Sequence, residues 1–105
     1  MTTVITVKTT AGPIKLPAKK FALEVGGKRL WFGLHRAVGN PSAQEVTISH
    51  WKTGMEVVTL PEWVFDATPP GGEVETAKRH LAAFFNARGT ERCRKIIEKE
   101  MENAK

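Results

Sequence analysis

Residues 21–34 read Phe21-Ala22-Leu23-Glu24-Val25-Gly26-Gly27-Lys28-Arg29-Leu30-Trp31-Phe32-Gly33-Leu34. Phe21, Leu23 and Val25 alternate with Ala22 and Glu24; beyond Gly26-Gly27 the alternation resumes, with Leu30, Phe32 and Leu34 set against Arg29, Trp31, Gly33 and His35. Successive strand side chains point to opposite faces, so a period of two marks a half-buried strand. Two such runs joined by a glycine pair, which accepts the positive φ of a tight reversal, predict a β-hairpin.

Upstream, Thr2 to Thr10 is rich in Thr, Val and Ile, whose branched side chains suit a pleated surface, and Gly12-Pro13 breaks it. Ile14 and Leu16 flank Lys15 in a short alternation, which Pro17, lacking an N–H for the ladder, is expected to end and confine to an edge. Lys19-Lys20 then reads as a basic connector. Downstream, Gly39 to Gln44, with Asn40-Pro41-Ser42, has loop composition. Val46 and Ile48 alternate with Thr47 and Ser49 up to Trp51, and Lys52-Thr53-Gly54 turns into Met55 to Leu60. The expectation is four to five antiparallel strands in meander order. Leu60 to Phe65 reads two ways, because Pro61 either ends a strand or opens a helical turn.

Thr68-Pro69-Pro70-Gly71-Gly72 divides a strand-rich part, residues 1–67, from a helical part, residues 73–105. Val74, Ala77, Leu81, Phe84 and Phe85 recur at helical spacing, with Glu73 and Glu75 at the start and Arg88 at the end suiting the helix dipole. Gly89 suits a C′ position and Thr90 an N-cap, so a second helix should follow at once, with Cys93, Ile96, Ile97 and Met101 as its apolar stripe. The first helix is expected to cross the sheet, and the second to lie at its edge or to serve a partner. At 105 residues and 11.6 kDa the chain is read as one domain, 1–105, of the α+β class: a small antiparallel sheet followed by two C-terminal helices. Some DNA-binding modules share this order, but element order alone does not fix function.

Composition narrows the classes. A hydrophobic fraction of 41% and a charged fraction of 26% are those of a globular chain. No apolar run is long enough to span a bilayer and Met1 to Val7 lacks a signal-peptide pattern, so the expected location is the cytoplasm, with no membrane partner. Cys93, the single cysteine, cannot form an intrachain disulfide. Phosphate-loop, dinucleotide, zinc-protease and nucleophile-elbow motifs are absent, Asp66 is the sole aspartate, and Ser42 and Ser49 are the sole serines. Too few groups are present to fill catalytic roles, and a non-catalytic protein is expected. The spacings of His35, His50, His80 and Cys93 match no zinc pattern, so neither a metal nor a cofactor is expected.

Charge and alternation together suggest a binding face. The first 60 residues carry the whole net charge of +5. With Leu30, Phe32 and Leu34 inward, Arg29, Trp31, Gly33 and His35 point outward; with Val46 and Ile48 inward, so do Thr47, Ser49 and Trp51. Arg29, Trp31, His35 and Trp51 on the face, with Lys19, Lys20, Lys28 and Lys52 at its rim, fit nucleic acid, bases stacking on indoles while cations meet phosphates. The alternative is a protein-interaction accessory factor, an inhibitor or assembly adaptor of the kind found on phages and other mobile elements, docking through the same tryptophans. Burial of that face by the chain itself or by a second copy in a homodimer would give the same pattern. The C-terminal helix pairs Glu91 with Lys95 and Arg94 with Glu98 at i, i+4, which reads as a solvated surface.

Overall fold

A computed structural model describes residues 3–9, 12–36, 45–66, 68 and 71–103. Its elements are β1 (Thr3–Thr9), β2 (Gly12–Val25), β3 (Lys28–Arg36), β4 (Glu45–His50), β5 (Glu56–Pro61), a 3-10 turn (Glu62–Phe65), α1 (Glu73–Arg88) and α2 (Thr90–Asn103). The strands form one antiparallel sheet in the order β1-β2-β3-β4-β5, the meander that the alternation predicts, and the fold is α+β. Gly26 and Gly27 take φ of 58° and 83° and reverse the chain with Val25 opposite Lys28. Pro61 satisfies both readings, ending β5 and preceding the 3-10 turn. The expected loop at Gly39 to Gln44 lies outside the described residues.

One sheet face meets the helices. Phe21, Val25, Leu30, Phe32, Leu34 and Ile48 pack against Ala77, Leu81 and Phe85 of α1 and Ile97 of α2. Burying each large side chain stabilises the fold by about 1.5–3 kcal/mol relative to exposure. The stripe of α2 is narrower than its spacing suggests: Ile97 is buried while Ile96, one position earlier, is 51% exposed. Nor does the Thr90 hydroxyl cap α2; it donates to Asn86 Oδ1 at 3.1 Å. No helix among the described residues is long and apolar enough to cross a membrane.

Two expectations about β2 are corrected. Pro17 does not end the strand, which runs 14 residues to Val25, so Lys19-Lys20 is no connector but lies within it. The strand changes partner midway: Gly12–Ala18 pairs with β1 and Lys19–Val25 with β3. Among the described residues Pro13 and Pro17 pair with β1 alone, on one side of the strand, and a missing N–H on the other side is tolerated.

This change of partner also decides between the two readings of the outward face: the chain itself covers part of it. β1 lies over this face, against Gly33 and the Gly54 turn. There the Lys8 N–H donates to the Gly54 carbonyl at 3.1 Å, and Ile5 and Val7 are buried. On the same face His35 is 5% exposed, and Thr47 and Ser49 are 1% exposed. Among the described residues the end carrying Trp31 remains open, with Trp31 41% exposed.

Candidate functional site

Alternation divides each basic pair between the two faces. On the helix side, the Lys19 ammonium lies 3.2 Å from Glu73 at the start of α1, and that of Lys28 lies 2.7 Å from Glu98 of α2. Glu73 is held below the ordinary carboxylate value by a hydrogen bond from its own backbone N–H and by Lys19; Glu98 is held down by its hydrogen bond from Lys28. Lys20 and Arg29, one position along, project from the other face, and neither forms an ion pair among the described residues. Of the expected rim, Lys19 and Lys28 are therefore paired with carboxylates on the helices.

Lys20 and Arg29 lie on indoles. The Lys20 ammonium stands 5.0 Å from the centroid of Trp31 and 4.9 Å from that of Trp51, and the Arg29 guanidinium carbon 4.9 Å from that of Trp31. All three distances are within cation–π range. The register builds this cluster: Lys20 faces Gly33, Ala22 faces Trp31, and the Trp51 N–H donates to the Trp31 carbonyl at 2.9 Å. Gly33 lets the neighbouring side chains close over β3, since a Cβ there would come within 2.8 Å of Ile5 Cδ1 and 3.1 Å of the Trp51 ring. A glycine inside a strand signals such close approach, and it was the available sign that part of this face is covered. Lys52 is exposed on the turn beside Trp51, and burial together with its charge holds His50 below 6.5.

His35 leaves the candidate face. Its Nδ1 stands 2.7 Å from the Arg36 carbonyl oxygen, which can only accept, so Nδ1–H donates and Nε2 accepts from the Ser49 hydroxyl at 2.8 Å. This histidine–serine pair resembles a nucleophile and its base, but Ser49 is buried beyond the reach of a substrate. Among the described residues no three His, Cys, Asp or Glu side chains gather as a metal site.

A groove of about 380 Å³ adjoins Trp31, lined by Lys20, Ala22, Glu24 and Arg29 and walled by Val74 and Lys78 of α1. Lys78 comes from the half of the chain with no net charge, so charge counting by halves could not place it here. The groove follows an unpaired length of β2. Because the Trp31 carbonyl bonds toward β4, its partner Ala22 turns its own N–H and C=O away from β3. Among the described residues β1 pairs no further along β2 than Ala18, and that edge is open there. A larger groove of about 700 Å³ lies near Leu34, Val46 and Phe65, but four of its charged groups are mutually paired, Lys19 with Glu73 and Arg36 with Glu62. No protein-family model, curated protein or solved structure matches the chain.

Proposed function

We propose that the protein is a non-catalytic binding module for nucleic acid, with Trp31 as a stacking surface and Lys20, Arg29 and Lys52 as phosphate contacts. The observation that carries this reading is the state of Lys20 and Arg29: two cations, without carboxylate partners among the described residues, laid over an exposed indole. Stacking on an aromatic ring is tolerant of base identity, while cations beside it track the backbone. Lys78, which also lies 3.7 Å from Glu75, borders the groove. Single strands suit the site better than duplex, whose bases are already stacked.

The test is anisotropy of a labelled single-stranded oligonucleotide and of the matching duplex across a salt gradient. Three phosphate contacts should give a slope of log K against log salt of roughly −2 on single strands, at about −0.7 per contact. Absence of binding at low salt would reject the reading.

The open edge of β2 at Ala22 favours a second reading, in which an extended peptide adds a strand there and an acidic side chain meets Lys20 or Lys78. Main-chain hydrogen bonding would give that complex a shallow salt slope.

A further inference from the structure

We propose that Lys20 is an exchange gate: in the free protein its ammonium covers both indoles, and it yields Trp31 only to a ligand that brings a phosphate with its base. The inference rests on the nucleic-acid reading and narrows its ligand to single strands with a charged backbone, excluding neutral aromatic compounds.

One ammonium serves two rings, 5.0 Å from Trp31 and 4.9 Å from Trp51, and so occupies space that a stacking base requires. Among the described residues no carboxylate holds Lys20 elsewhere. The next acidic group on its own strand face, Glu24, is four residues along, roughly 13 Å at strand rise. A displaced Lys20 therefore goes either to water, losing both aromatic contacts, or to an anion delivered by the ligand. Arg29 differs, because a planar guanidinium can stay stacked on Trp31 while its N–H groups hold a phosphate. A lysine has no such plane and has to move. Phosphate capture and base stacking are thereby coupled through one side chain.

The experiment compares Lys20→Ala with the unmodified protein, titrating each with oligothymidylate and with its methylphosphonate analogue, which carries the same bases on a neutral backbone. The unmodified protein should bind the phosphodiester and discriminate against the analogue. In Lys20→Ala the phosphodiester should bind more weakly, with a salt slope shallower by about 0.7. The analogue should bind about fivefold or more tightly, because two cation–π contacts no longer have to be broken. A second measurement needs no ligand: in a Trp63→Phe background, which removes the most exposed indole, acrylamide should quench Lys20→Ala more strongly than its parent. If Lys20→Ala weakens both oligomers alike, leaves the analogue unchanged, or leaves quenching unchanged, Lys20 is not a gate, while the nucleic-acid reading stands. If the unmodified protein binds no phosphodiester, the nucleic-acid reading fails and the gate with it.

Discussion

Gly33 lies under the Trp51 ring with room for a hydrogen and none for a methyl group: a Cβ would stand 3.1 Å from Cε3 and Cζ3 of the indole and 2.8 Å from Ile5 Cδ1. Ile5 Cδ1 ends a side chain able to turn, whereas the indole is a rigid plate held by the backbone bond between Trp51 and Trp31. Gly33→Ala should therefore act as an overpacking change and cost about 1–3 kcal/mol of stability. Chemical unfolding followed by tryptophan emission measures this, and a variant as stable as the parent would mean that the ring does not rest on Gly33.

The division of the basic pairs gives a sharper charge test than reversal of all four groups together. Lys20→Glu with Arg29→Glu removes the two cations that lie on Trp31, and should abolish retention on single-stranded DNA while leaving the helices docked. Lys19→Glu with Lys28→Glu sets like charges against Glu73 and Glu98, and should lower the melting temperature while much of the retention survives. Retention on immobilised oligonucleotide and thermal unfolding separate the two pairs. Loss of retention in the second pair with retention kept in the first would place the interface on the helix side.

The fold was legible wherever a period of two or of 3.6 continued unbroken. Phe21 to Leu34 announces its hairpin, and the spacing of Ala77, Leu81 and Phe85 announces the helix face that closes the core. What alternation could not convey is which other strand crosses a face. His35, Ser49 and Trp31 obey the same parity rule and share one side of the sheet, yet β1 lies over part of that side and leaves the rest open, because β2 changes partner at Ala18. Parity did contain the division of Lys19 from Lys20 and of Lys28 from Arg29. Reading Lys19-Lys20 as a connector concealed it there, and only placing both residues inside a strand makes the division visible. Lys78 was illegible for another reason: it reaches the groove through tertiary packing of α1, which no local pattern encodes.

His50 makes stability depend on pH. Burial first, and the Lys52 charge second, hold its pKa in the folded protein below 6.5, and its Nδ1 is engaged by Thr53 at 2.9 Å. The unfolded chain therefore binds more protons than the folded one as pH falls through 6.5. The contribution is fully present above that pH and is lost progressively below it, down to the lowered folded value. His50→Asn supplies a non-titrating oxygen near the Nδ1 position. Its stability, subtracted from that of the parent in urea unfolding at a series of pH values, should show the parent losing ground only on the acidic side. A difference that does not vary with pH would mean that His50 keeps an ordinary pKa in the fold.

Trp31 and Trp51 should respond oppositely to truncation, although they share one ammonium and one backbone hydrogen bond. Trp31 is 41% exposed and Trp51 less so, and Trp31→Ala should therefore lower the melting temperature less than Trp51→Ala. Trp31→Ala removes the stacking platform, and single-strand affinity should fall by roughly 1–3 kcal/mol. Trp51 is half-buried and its ring covers Gly33 beside Ile5, so Trp51→Ala opens a gap between β1 and β3. It should lower stability clearly, by less than the ~3–5 kcal/mol of a fully buried aromatic. Melting curves rank the two variants without a ligand, and oligonucleotide titration below both melting temperatures ranks them again. The assignment of Trp31 as platform and Trp51 as support requires the two rankings to be opposite. If Trp31→Ala melts earlier and binds normally, the open end of this face is a structural surface and the second reading, at the edge of β2, takes its place.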